Sequence, residues 1–242
     1  MKRLALGLIT PLAACSMSAS GNESPGAPAQ GSGTTRTYSL VDFSGIDLRG
    51  SDDIDVRVGT GFSVRAEGPS DDLDTLRIDK EGSTLNVGRK TRMGMSWGKG
   101  NKVKVFVTLP RLAEANVAGS GTMTVDRVEG SAFKAGIAGS GALRIAALQV
   151  EDVRFSIAGS GDASAAGTAT SLKVEMAGSG SVDGSRLQAQ SASIEMAGSG
   201  NVRAVVNGPA KVDMLGSGDV DLGPNARCTV SKMGSGKVRC AG

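Results

Sequence analysis

Val153-Arg154-Phe155-Ser156-Ile157-Ala158-Gly159-Ser160-Gly161 is answered nineteen residues later by Leu172-Lys173-Val174-Glu175-Met176-Ala177-Gly178-Ser179-Gly180. In both stretches apolar residues alternate with polar ones and then run into Gly-Ser-Gly. Alternation of period two is the signature of a strand with one buried face. A unit this short cannot bury that face alone, so copies of it have to stack on one another.

Outward from this pair the tripeptide recurs seven times: Gly119-Ser120-Gly121, Gly139-Ser140-Gly141, Gly159-Ser160-Gly161, Gly178-Ser179-Gly180, Gly198-Ser199-Gly200, Gly216-Ser217-Gly218 and Gly234-Ser235-Gly236. The spacings are 20, 20, 19, 20, 18 and 18 residues. A period near 20 identifies a solenoid. Before the turns the apolar series continues with Phe133, Ala135 and Ile137, with Ala192, Ile194 and Met196, and with Ala210, Val212 and Met214. Two residues past each turn stand Met123, Leu143, Ala163, Val182, Val202, Val220 and Val238. A third apolar position, seven residues past the turn, holds Val128, Leu148 and Leu187 but Thr168, Asn207 and Asn225 in other coils, so a third wall is expected to shrink toward the carboxyl end. The predicted fold class is all-β: a parallel β-helix with an irregular N-terminal β cap over about 38–110, where shorter alternating runs are separated by turns.

Sharp corners need backbone angles that Gly adopts without strain. Stacked corners also crowd their neighbours, so a side chain larger than Ser is expected to be squeezed there, and the serines to form a ladder of hydroxyls.

Both ends of the chain carry further information. Met1-Lys2-Arg3, the apolar run Leu4 to Leu12 and Ala13-Ala14-Cys15 follow the order of a secretory signal. Leu12-Ala13-Ala14-Cys15 resembles the lipobox of bacterial lipoproteins, which implies a lipid on Cys15, a membrane partner through that anchor and, with Ser16 next, the outer membrane. The expected division is a signal peptide at 1–14, a flexible Ser/Gly/Ala/Pro tether at 15–37 and one domain at 38–242, with the regular repeats over about 111–242. Cys228 and Cys240 fall in facing inward columns of the last coil, where a disulfide can form in an exported protein.

Several features together, Phe43-Ser44-Gly45-Ile46, Asp55-Val56-Arg57-Val58, Val105-Phe106-Val107-Thr108-Leu109-Pro110 and the Ala-Gly-Ser-Gly turns, resemble the auto-transporter adhesin head domain, or head GIN domain, family of bacterial exported proteins. The resemblance implies a right-handed parallel β-helix similar to pectin-lyase-like folds but without their catalytic residues, and a role in cell-surface adhesion.

The residues themselves argue for a scaffold. Histidine is absent, which removes the commonest general base and metal ligand. No catalytic residues, metal site or cofactor are expected. Asp52-Asp53 and Asp71-Asp72 read as solvated turn carboxylates rather than calcium ligands. Without Lys2 and Arg3 the chain holds 25 basic and 24 acidic residues, a balance that gives no case for nucleic acid. Trp97, Met93 and Met95 lie in a basic loop, where they either cover the end of the solenoid or contact a partner. Two function classes follow: a surface binding or adhesion module whose ligand, protein or glycan, is unspecified, and a polysaccharide-acting enzyme of the β-helix class. The seven aromatic residues favour binding, because sugar-cleaving sites need exposed aromatics and paired carboxylates.

Expressed with its signal in a Gram-negative host, the protein is expected to carry lipid on Cys15 and to partition into membranes. Cys15→Ser is expected to release it, and unchanged size and partitioning of that variant would count against the anchor.

Overall fold

The computed structural model describes residues 26–90 and 102–241. The described chain is a β-solenoid closed at its N-terminal end by antiparallel strands. The first elements are β1 (Ala29–Gln30), β2 (Thr35–Tyr38), β3 (Gly45–Gly50), β4 (Asp53–Val58), β5 (Ser63–Glu67), the short helix α1 (Ser70–Thr75), β6 (Leu76–Glu81), β7 (Thr84–Arg89) and β8 (Lys104–Leu109). The coils follow as β9 (Glu114–Gly119), β10 (Thr122–Gly139), β11 (Ala142–Gly159), β12 (Asp162–Gly178), β13 (Ser181–Gly198), β14 (Asn201–Val206), β15 (Pro209–Gly216), β16 (Asp219–Asp221), β17 (Arg227–Met233) and β18 (Lys237–Arg239).

The register follows the repeat. Met123, Leu143, Ala163, Val182, Val202, Val220 and Val238 pair in one unbroken column. On the wall before the corners, Ile137, Ile157, Met176, Met196 and Met214 form another, and all five are buried. Phe133 and Phe155 also point into the core. Parallel strands need long connections; here each coil is its own connection, and the stack buries one continuous hydrophobic cluster.

At the corners the crowding falls on the glycines. Gly119, Gly139, Gly159, Gly178, Gly198, Gly216 and Gly234 all have positive φ, from +114° to +139°. A Cβ on any of them, or on the last glycine of any corner, would lie under 3.0 Å from a backbone carbonyl oxygen one coil back. The serines between them are all exposed, which corrects the expectation that a bulky residue would be squeezed at the serine. The backbone bends round so that the middle side chain leaves the stack and the flanking α-carbons enter it. The hydroxyl ladder is seen at Ser235, which donates to Ser217 Oγ at 3.0 Å.

The third wall differs from expectation by one residue. Leu148 pairs with Gly167, and Gly167 with Leu187, so Thr168 is exposed and Gly167, at φ +132°, holds the column. The nineteen-residue coil loses its residue before this position, which shifts the count from the turn. In the shorter coils Val206 is buried beside Ala189, while Asn207 and Asn225 stack as an amide ladder at 2.9 Å.

The cap reverses part of the chain order. Coil β3–β4 lies between β7 and β8 on one side and β9 and β10 on the other. The intervening segment runs out to the end of the stack, turns antiparallel through β5 and the β6–β7 hairpin, and returns. Its corner is Gly50-Ser51-Asp52, in register with Gly119-Ser120-Gly121 but with Asp in the third place. Asp52 is fully buried, accepts from Arg89 Nε at 2.8 Å and Nη2 at 2.5 Å, and accepts from the Val103 amide at 2.9 Å. Arg89 also reaches Asp72 at 3.2 Å, and its guanidinium is held more firmly charged by Asp52. Asp52 is therefore a buried ion-pair partner and not the solvated turn residue expected. Removing one partner of such a pair costs about 3–5 kcal/mol.

The tether also ends earlier than expected. Ala27 donates to Ile78 O, Ala29–Gln30 pair with β2, and Thr35–Tyr38 pair with β5. Composition reports side chains, whereas this segment contributes backbone groups, which cover the otherwise open edge of β5. No helix among the described residues is long and apolar enough to cross a membrane.

At the other end Cys228 and Cys240 are joined, with Cα atoms 6.1 Å apart. Cys228 stands below Ala210, and Leu222 donates to Arg239 O, which puts Cys240 in the Leu222 column as its spacing predicts. Closing so short a loop contributes about 3 kcal/mol in the chain-entropy account. Lys232 takes the place of Met in the inward column of this last coil.

The corner geometry makes a sharp prediction. Gly178→Ala is expected to destabilise the protein by about 3 kcal/mol or more, since it combines a strained φ with backbone overlap. Ser179→Leu, on the solvent side, is expected to stay within about 0.5 kcal/mol of wild type. Equal denaturation midpoints for the two variants would contradict the stacked corner.

Candidate binding face

The wall that precedes the corners carries three outward columns. The first holds Lys134, Arg154, Lys173, Ser193, Lys211 and Thr229, one residue per rung. The second, two residues on, holds Gly136, Ser156, Glu175, Glu195, Asp213 and Ser231. The third abuts the corners and runs Ala118, Ala138, Ala158, Ala177, Ala197, Leu215 and Met233. These columns stand in register because the inward residues between them are locked into the core.

The first two columns neutralise each other. Lys173 Nζ lies 2.9 Å from Glu175 Oε1 and 3.7 Å from Glu195, Arg154 pairs with Glu175, and Lys211 lies 2.6 Å from Asp213. Such exposed pairs contribute little to stability. They do fix protonation: hydrogen bonds from Lys173 and Arg154 hold the Glu175 carboxyl below the usual carboxylate range. Lys173 and Lys211 are held above the usual lysine range by hydrogen bonds to Glu175 and Asp213. Glu175 and Glu195 sit on adjacent rungs, and paired carboxylates are what sugar cleavage uses. A general acid there would need a raised pKa. Glu175 is shifted the other way, and so is poorly suited to be that general acid.

Between the second and third columns runs a groove of about 1030 Å³ that extends from Asn116 and Ala118 to Ser231 and Met233. It exists because the residues along it are small: Gly136 has no side chain and five rungs of the third column are alanine. Beneath it Met176, Met196 and Met214 fold their thioethers under the corner glycines, filling space that a branched side chain would leave uneven. At the far end the wall becomes large and apolar, with Leu215 56% and Met233 71% exposed. No aromatic residue lines the groove. Phe106 lies on the other wall, with Arg65 4.7 Å and Lys104 5.1 Å from its ring centroid.

The charged columns follow from the spacing of the repeat, whereas the groove does not. Its signal is the residue before each corner: Ala in five cases, then Leu215 and Met233. Cys15, Trp97, Met93 and Met95 lie outside the described residues. Of the acidic pairs, Asp53 binds Lys102 at 3.1 Å and the Thr122 amide at 3.1 Å, and Asp52 and Asp72 hold Arg89. Among the described residues no group of three or more His, Cys, Asp or Glu side chains is placed to hold a metal ion.

Comparison with known proteins agrees with this architecture. A solved "putative adhesin" from Bacteroides fragilis superposes with a TM-score of 0.76 at 20% identity, covering 89% of this chain and 98% of the other. A "putative lipid binding protein" from Parabacteroides distasonis gives 0.68 at 22% identity, with 85% and 95% covered. A "putative adhesin" from Parabacteroides merdae gives 0.61 at 16%, with 86% and 95% covered. At these identities the likeness is one of fold. No curated protein matches the chain. The family model described as "Putative auto-transporter adhesin, head GIN domain" matches residues 42–226, and the chain belongs to that family.

Proposed function

We propose that the protein is a non-catalytic binding module of the cell surface, held to the outer membrane by a lipid on Cys15 and presenting the grooved wall to its ligand. The observation that carries this reading is the wall itself, on which three chemically distinct columns stand in register over six rungs. A solenoid provides such a surface because each coil repeats the chemistry of the last. The family points to a surface or exported protein, and the solved relatives bear the names of adhesins and of a lipid binding protein. The disulfide fits an oxidising compartment. The alternative of a polysaccharide-acting enzyme finds no support in the groove, which lacks aromatic platforms.

The test is capture of glycans and matrix proteins by the immobilised body, residues 26–242. A macromolecular ligand is expected to bind with an affinity that falls as salt rises, since the outer column is charged. Lys134→Glu with Lys211→Glu is expected to lower capture at least fivefold, while Ala147→Glu on the third wall leaves it unchanged. Capture insensitive to the lysine pair would move the contact to another face.

A further inference from the structure

We infer that the groove binds one long acyl chain, laid along the solenoid axis with its anionic head at the last coil. The inference rests on the grooved wall being the contact face, and adds the chemistry of the occupant.

Seven rungs at strand spacing give a length of about 29 Å. A volume of about 1030 Å³ over that length averages about 35 Å² in section, room for one extended hydrocarbon chain. The volume is at the upper end for small-molecule sites, about 300–1000 Å³. The walls then discriminate among occupants. A glycan would need aromatic faces to stack on, and none lines the groove. A peptide would bring an amide every few ångströms, and a buried amide without a partner costs about 1–3 kcal/mol. The groove offers its backbone no partners, because residues 136–138, 156–158, 175–177, 195–197 and 213–215 all pair with the coils beside them. The carboxylates along the other side are already matched by Arg154, Lys173 and Lys211. A polymethylene chain needs no hydrogen bonds and gains from each methylene covered.

The two ends of the groove differ, which sets the direction. Glu175, Glu195 and Asp213 stand along its length, whereas at the last rung Ser231 takes the carboxylate's place beside the exposed Met233. Lys232 Nζ, in the inward column, donates to Gly236 O at 2.8 Å. The last coil, residues 227–241, carries Arg227, Lys232, Lys237 and Arg239 and no acidic residue.

The test uses the body, residues 26–242, and cis-parinaric acid, an eighteen-carbon fluorescent fatty acid, competed with saturated acids. Parinaric fluorescence is expected to rise on binding and to be reversed by palmitate. Laurate is expected to compete at least tenfold more weakly, since each methylene lost from an open groove costs about twofold or more. Ala177→Glu, an outward position that leaves the core intact, is expected to weaken binding at least tenfold, and Ala147→Glu to leave it unchanged. Palmitate is expected to compete more strongly than hexadecanol, whose head carries no charge for the basic last coil. Competition independent of chain length, or an Ala177→Glu protein that binds like Ala147→Glu, would overturn the inference. Capture of a macromolecule by a protein that binds no fatty acid would overturn it alone and leave the binding-module reading standing. Fatty-acid binding without macromolecular capture would support it while removing the adhesive role.

Discussion

The structure depends on the approach of one corner to the next. Each first glycine turns through a left-handed backbone angle and sets its α-carbon against the carbonyl of the same glycine one coil back, at a distance that leaves no room for a Cβ. The serine that follows donates its amide to that carbonyl: Ser140 to Gly119, Ser160 to Gly139, Ser179 to Gly159 and Ser199 to Gly178, at 2.8–3.0 Å. The corner is thus closed by backbone alone. Once corners are aligned to within a hydrogen bond, the strands on either side have no freedom of register, and inward columns fill with inward residues. The three outward columns, and the groove between two of them, follow from the same alignment.

A stack held this way has two ends, and the chain treats them differently. At the amino end it leaves the solenoid after one coil, builds antiparallel strands outward, and returns to continue on the other side of that coil. Antiparallel pairing stops the repeat from propagating. The Asp52–Arg89 pair replaces glycine at the corner where the cap begins. At the carboxyl end the last coil instead carries a covalent link and a lysine in the inward column. One end is closed by topology and the other stiffened by chemistry.

The regular coils were legible because their signal is repeated: a single Gly-Ser-Gly says little, but seven at a near-constant period fix a register that the columns then obey. The disulfide could be placed for the same reason, since Cys228 and Cys240 inherit the directions of Ala210 and Leu222. The cap was legible only as alternating strands. Nothing in a lone alternating run says whether its neighbour is parallel, or that 45–58 sits between segments that follow it in sequence. Gly50-Ser51-Asp52 was not recognised as a corner, because Asp occupies its third place and the partner that makes this tolerable, Arg89, is 37 residues away. The groove was missed for a different reason. The alternation that turns Ile137, Ile157, Met176 and Met196 inward turns Ala138, Ala158, Ala177 and Ala197 outward, but that a row of outward alanines leaves a groove depends on how the coils stack.

The account's central claim is that the corners are hydrogen-bonded parts of the core although their serine side chains face solvent. Amide hydrogen exchange at Ser160, Ser179 and Ser199 tests it most directly. These residues sit in Gly-Ser-Gly turns that would exchange within seconds in a flexible chain. The stacked corner predicts that their amides exchange only with global unfolding, as slowly as those of Val174 and Ile194 in the adjoining strands. Exchange at unstructured rates in the corners, with the strands protected, would contradict it.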